Sequence, residues 1–283
     1  MRRLEIRSPF DAPVLYIPET GSTMDEAKRY TRELGTLPAH GTVVLTDYQR
    51  EGRGRVRSRS WESPPGESIL VTVILHRDGR WPVSSLSIRT ALAISLFLER
   101  HYGLFPRIKW PNDVLVNGRK ISGVLCEAGA QLVYAGIGLN CRSRRAAGAG
   151  PETGARAETG PGAEGGLGAP ADRRFGNGGG EEKPRTSIHE ETGADVQPRE
   201  ELPKLLDELA AVLDLEDLTE AERRLYGRGE ELSLSEGCVD SGHVVWGVVE
   251  GIDEEGALLM RSRGEGVPYR VVSGEFLPQA GGR

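Results

Sequence analysis

The stretch from Arg107 to Leu139 constrains the fold more than any other part of the chain. Four short apolar runs follow one another there: Arg107 to Trp110, Val114 to Val116, Ile121 to Cys126 and Leu132 to Leu139. Their links are too short to hold a helix, so they read as locally connected neighbouring strands. Asn117-Gly118, between the second and third, is a two-residue hairpin signal, because both residues tolerate the positive φ of such a turn.

Upstream, Val14 to Ile17 and Gly41 to Thr46 read as strands, and Ser68 to Leu75 as a longer one. Ser22 or Thr23 can cap a helix, with Glu26 completing a capping box from Thr23. Ser84 to Tyr102 places Leu86, Ala93, Leu96 and Phe97 at helical spacing without an internal Gly or Pro, and Gly103 ends it. One principal helix beside many short strands predicts an α+β fold, not repeated βαβ units.

From Arg142 to Gly180, 12 of 39 residues are glycine, and Leu167 and Phe175 are the only large apolar side chains. Such a segment buries too little surface to offset its ordering entropy, so 142–184 reads as a disordered glycine-rich insert. Beyond it, Leu202 to Leu215 is helical, opened by Pro203, and Thr219 to Tyr226 is a short helix with Thr219 and Glu222 spaced as a capping box. From Gly229 onward strands and turns alternate, enough for a small β-barrel docked on the main body. The expected division is therefore a 1–228 domain and a 229–283 domain.

A net charge of -6 argues against a general nucleic-acid binder. Cys126, Cys141 and Cys238 are odd in number and widely spaced, which fits free thiols in a reducing cytosol and neither a disulfide framework nor a structural zinc site. Met1 to Pro13 lacks the apolar region of a signal peptide, and no run of roughly 18 apolar residues spans a membrane. A cytoplasmic protein without a protein-held metal is expected.

Three segments carry chemistry. Arg50 to Ser60 holds five arginines, one glutamate and two glycines ahead of Trp61. Guanidinium groups bind phosphate and carboxylate in paired hydrogen bonds, and glycine allows close backbone approach, so the loop suits an anion; a solvated surface loop is the plain alternative. It is neither a dinucleotide fingerprint nor a P-loop. Lys109-Trp110-Pro111-Asn112-Asp113, followed by Lys120 and Gly123, is a turn between strands or a pocket rim. Lys120 and Gly123 stand an odd number of residues apart, so a regular strand turns them to opposite faces. Gly136-Ile137-Gly138-Leu139-Asn140 clears one face of a strand, for close packing or for a flat floor beneath a ligand, with Asn140 reading a base edge.

In this order and spacing the three segments resemble the biotin protein ligase family, with its GRGR-type loop, KWPND stretch and GIGxN strand. Thr20-Gly21-Ser22-Thr23 and Gly251 to Leu258 fit as well. The resemblance implies a mixed sheet with helices on one side, of the class II aminoacyl-tRNA-synthetase/biotin-ligase type, and a small C-terminal Src-homology-3-like barrel. It assigns Ser22, Thr23, Gln49, Gly52, Arg53, Lys120 and Gly123 to biotin, and Arg55, Arg59, Trp61, Asn112 and Asn140 to ATP or the adenylate. Arg55 and Lys120 are the implied catalytic residues. Two departures stand out: Met24 where the family commonly has asparagine, and one extra residue between Gly52 and Trp61.

The implied reaction joins biotin to Mg-ATP as biotinyl-adenylate, then passes biotin to a lysine of a biotin-carrier domain of acetyl-CoA carboxylase or a similar enzyme. The cofactor set is ATP, biotin and Mg2+. No nucleic-acid or membrane partner is expected, and an edge strand is available for a homodimer. A non-catalytic biotin or adenylate sensor, and a lipoate ligase, are the alternatives.

Overall fold

A computed structural model describes residues 1–56, 59–142, 184–237, 243–262 and 266–277. Of the glycine-rich insert, 142–184, only its two ends fall on the described residues. Eight strands form one sheet: β1 (Arg2–Leu4), β2 (Val14–Thr20), β3 (Thr42–Gln49), β4 (Ser68–His76), β5 (Arg107–Lys109), β6 (Asp113–Val116), β7 (Arg119–Ala128) and β8 (Leu132–Asn140). Their order in space is β1-β2-β3-β4-β8-β7-β6-β5. β2 and β3 run parallel and the other pairings are antiparallel. A parallel pair needs a crossover, and helix α1 (Thr23–Leu34) supplies it. The Asn117-Gly118 hairpin forms as expected, with φ of 50° and 73°.

Strand alternation gives the sheet two apolar faces. Val43, Leu45, Val71 and Val73 turn toward α2 (Leu86–Tyr102), which is buried along most of its length and ends at Gly103 in the left-handed region. Val44 and Ile74 turn the other way and meet Met24 and Ala27 of α1, with Leu132 and Tyr134. The expectation of helices on one side is corrected: α1 carries its own apolar stripe and covers the opposite face. Its N-cap is Ser22, whose hydroxyl accepts the Met24 N–H at 3.3 Å; Glu26 instead accepts the Thr20 hydroxyl at 2.9 Å, so no box forms from Thr23.

After α3 (Ile188–Thr192), helix α4 (Pro198–Leu213) packs on α2. Pro198 occupies the first turn and Pro203 lies inside, so the helix starts earlier than Pro203 suggested. Helix α5 (Thr219–Arg223) starts without a side-chain cap, and Asp217 accepts the Thr219 N–H at 2.9 Å in place of the expected box.

A second sheet follows: β9 (Glu231–Glu236), β10 (Val244–Ile252), β11 (Leu258–Arg261), β12 (Tyr269–Val271) and β13 (Gly274–Phe276), ordered β12-β11-β10-β9-β13. Among the described residues β12 and β13 are unpaired edges, so the pairings alone make an open five-stranded sheet. The sheet docks as foreseen: Leu234, Val249, Leu258 and Phe276 share one apolar cluster with α2, and the Trp110 indole donates to the Gly256 carbonyl at 2.9 Å.

Candidate active site

On the α1 side of the large sheet, glycines make a flat patch. The β7–β8 register sets Gly123 opposite Gly138, and Leu125 opposite Gly136. The Trp61 ring lies on this patch. A Cβ on Gly138 would stand 2.5 to 2.9 Å from three of its ring atoms, and one on Gly123 would stand 3.1 Å from both the ring and Lys120 Nζ. The floor expected beneath a ligand thus carries Trp61, and glycine is what lets the indole lie against the backbone.

Lys120 and Gly123 share a face, against the expectation from simple alternation. The β6–β7 register steps from Val114↔Ser122 to Leu115↔Lys120, leaving Ile121 as the extra residue of a bulge. Ile121 turns into the core, and Lys120 stays beside Gly123 with its ammonium 5.6 Å from the Trp61 ring centroid. Lys120 Nζ also lies 2.6 Å from Asp113 Oδ1, so the last residue of the Pro111-Asn112-Asp113 turn faces the lysine. Across a cis Trp110–Pro111 bond, Asn112 is clamped to β7: its side-chain amide donates to the Val124 carbonyl at 2.7 Å and its backbone carbonyl accepts from Val124 N at 2.9 Å.

The arginine loop folds back as an arm. Trp61 N donates to Gly52 O at 2.8 Å and Gly54 N to Arg59 O at 2.9 Å. A side chain at Gly52 would collide with the Trp61 carbonyl, so Gly52 shapes the arm. Arg53 is paired with Asp25 at 2.6 Å. Arg55 donates to the Gly274 carbonyl at 2.7 Å, and Arg59 donates twice to Glu275, at 2.7 and 2.8 Å. Arg57 lies outside the described residues.

The parallel β2–β3 register places Thr20 beside Gln49 and so brings the α1 cap to the end of β3. Gln49 Oε1 accepts the Thr23 N–H at 2.8 Å and the Thr23 hydroxyl at 3.0 Å, and the buried Thr72 hydroxyl donates to Thr23 at 3.0 Å. With its oxygen so held, the Gln49 amide presents its NH2 as donor. Met24, 2% exposed, packs at the same end against Gly136.

These groups line one cavity of about 420 Å³. Ser22, Thr23, Gln49, Arg53, Arg55, Arg59, Trp61, Asn112, Lys120 and Gly123 all reach it. Gly52 and Asn140 do not line it. The Asn140 amide donates to the Thr186 carbonyl at 2.9 Å and its oxygen accepts from Ser68 at 3.4 Å, which ties the end of β8 to the chain before α3. Thr72, Leu125, Arg185 and Glu275 line the cavity unforeseen. Thr72 had a signal, a polar residue inside the apolar run Ser68 to Leu75, whereas Glu275 had none. Six cationic side chains (Arg53, Arg55, Arg59, Lys109, Lys120, Arg185) face three carboxylates (Glu62, Asp113, Glu275) among the described lining residues, so a chain of net charge -6 presents a cationic cavity.

The model of the Biotin/lipoate A/B protein ligase family matches residues 17–141, a span that holds most of this cavity. The chain is 34% identical to the biotin–[acetyl-CoA-carboxylase] ligase of Paracoccus denitrificans over 232 residues, 77% of this chain and 83% of that protein. It is 39% identical over 106 residues to the bifunctional ligase/repressor BirA of Bacillus subtilis, a match spanning 35% of this chain and 32% of that protein. In fold it is similar to a biotin protein ligase from Aquifex aeolicus solved in complex with biotin and ATP, with a TM-score of 0.68, 23% identity and coverage of 93% of this chain and 97% of that one. Matched in sequence over most of both lengths to a biotin–carboxylase ligase, the chain belongs to the biotin protein ligase family.

Proposed function

We propose that the protein is an ATP-dependent biotin protein ligase, which forms biotinyl-adenylate and transfers biotin to a carrier-domain lysine. One observation supports this best: a single cavity joins the neutral polar relay Thr72–Thr23–Gln49 to the cations Arg55 and Lys120. A neutral, hydrogen-bonding head group with a carboxylate tail suits the first, and a triphosphate the second.

In the first step the biotin carboxylate attacks the α-phosphorus and pyrophosphate leaves. Two anions must approach, and the fixed charges of Arg55 and Lys120 offset their repulsion where negative charge accumulates. Trp61 offers the adenine a stacking face. In the second step the lysine amine attacks the mixed anhydride and AMP leaves, so no protein nucleophile takes part. Mg2+ is proposed as the counter-ion of the triphosphate.

The acceptor is proposed to be the carrier domain of acetyl-CoA carboxylase or a similar enzyme, the setting cytosolic, and a homodimer is proposed on the sheet edge. The domain division 1–228 and 229–283 is supported by the start of the second sheet at Glu231. A Src-homology-3-like curl of that sheet is supported by chain reach. Val271 and Gly274 end adjacent strands in sequence, three Cα steps or at most roughly 11 Å apart. Yet β12 and β13 are opposite edges of five strands, about 19 Å apart in a flat sheet.

The test is the intact mass of a biotin-carrier domain after incubation with the protein, Mg-ATP and biotin. A gain of one biotin is expected. Biotin binding without any gain would favour a non-catalytic sensor.

A further inference from the structure

The arginine arm and the C-terminal sheet meet at two adjacent residues, and the meeting is built from both sides. β13 is anchored to its sheet: it pairs with β9 along its length, and Phe276 is buried in the core. Strand alternation turns Glu275 the opposite way, onto the arm. Its side chain is 13% exposed, and the carboxylate takes both hydrogen bonds from one Arg59 nitrogen, while Arg55 donates to the neighbouring Gly274 carbonyl. A side chain at Gly274 would stand 2.6 Å from Leu234 and 2.7 Å from the Ser235 carbonyl, so glycine lets the strand seat closely.

The two arginines are therefore not equivalent. A carboxylate neutralises Arg59, whereas Arg55 meets a neutral carbonyl and keeps its charge for the cavity. We propose that Glu275 is a positioning residue for adenylate formation: through Arg59 it fixes the arm, so that Arg55 and Trp61 are held over the glycine floor. This rests on the ligase reading. Arg59 then acts as an anchor.

Glu275→Gln is expected to raise the KM for ATP about tenfold, the effect of weakening a charge-assisted hydrogen bond, with the KM for biotin within about twofold. A loosened arm also shields the adenylate less, so biotin-dependent ATP consumption without acceptor should rise. Arg59→Met should show the same pattern, and the double variant should be no worse than either single one, because both remove one contact. Additive losses would place Arg59 directly on the nucleotide and overturn the proposal. So would an unchanged ATP KM in a Glu275→Gln protein whose melting temperature matches the parent.

Amide exchange supplies a readout independent of catalysis. The Gly54 and Trp61 amides, bonded within the arm, should lose about tenfold protection in Glu275→Gln; unchanged protection overturns the anchor. If the parent protein released no pyrophosphate with biotin and Mg-ATP, the ligase reading would fall while the exchange result still judged the contact.

Discussion

Asp113 holds Lys120: the carboxylate lies 2.6 Å from the ammonium across neighbouring strands, with the two side chains 15% and 25% exposed. The bulge at Ile121 makes the meeting possible by keeping Lys120 on the cavity face. In this state the ammonium is balanced and aimed, and an incoming anion must share it.

Lys120→Ala removes the charge that offsets anion–anion repulsion, and kcat/KM for pyrophosphate release should fall at least about 100-fold, the usual cost of one preorganised donor. Asp113→Asn keeps the charge but loses its aim. Turnover should fall roughly tenfold with no rise in the KM for biotin. Steady-state pyrophosphate release separates the two, and Lys120→Ala with more than a tenth of parent activity would remove the lysine from the site.

Gly138 tests the indole floor. Alanine there puts a methyl 2.5 Å from Trp61 Cε2, and pairing with Leu70 on one side and Gly123 on the other holds the backbone in the sheet, so the ring must lift. Overpacking of this kind costs about 1–3 kcal/mol, which predicts roughly 5- to 150-fold weaker ATP binding. Calorimetric titration with a non-hydrolysable ATP analogue checks it. Gly129→Ala is the matched control, since a methyl there meets nothing closer than 3.6 Å.

Local chemistry made much of this legible, and long-range register hid the rest. The strands from Arg107 to Asn140 and the helix α2 follow from apolar period, the Asn117-Gly118 turn and the Gly103 stop, all carried by neighbours in sequence. The Ile121 bulge is a property of pairing between strands, so the shared face of Lys120 and Gly123 could not be read from spacing. Asn140 sits at the end of the right motif, yet its amide is taken by Thr186, whose position depends on where the chain re-enters after 183. Glu275 meets Arg59 across 216 positions, and nothing near either residue signals the other.

His40 gives a pH dependence. Its Nδ1 accepts the backbone N–H of His76 at 3.0 Å, and burial, followed by the nearby His76 and Arg80, holds its pKa below the ordinary 6.5, with Asp78 and Asp214 acting against them. The fold holds the neutral ring, so the unfolded chain binds the extra proton. Stability from this group is full above pH 6.5 and is lost as pH falls from there through the lower folded value. Melting temperature should drop between pH 7 and pH 5.5, and His40→Asn, which keeps an acceptor near the Nδ1 position, should flatten that drop; an identical slope in both proteins would clear His40 of the effect.

Arg89 is 2% exposed within α2, and its charge is spent on another helix. Its guanidinium donates to the Val212 carbonyl at 3.2 Å and the Leu215 carbonyl at 2.9 Å, at the end of α4, and its Nε to Ser85 at 3.2 Å. The last carbonyls of a helix have no internal partner and carry the negative end of its dipole, so a buried cation there both caps and neutralises them. Arg89→Met keeps the apolar stem but removes the donor to the Leu215 carbonyl and leaves the Val212 carbonyl only the Leu215 N–H, at a cost of about 2–4 kcal/mol. Arg89 does not line the cavity, so the specific activity of folded protein should stay unchanged while the urea midpoint falls at constant m. A change in m would mean that α4 detaches on its own before the rest unfolds, making the α2–α4 contact a separate cooperative unit.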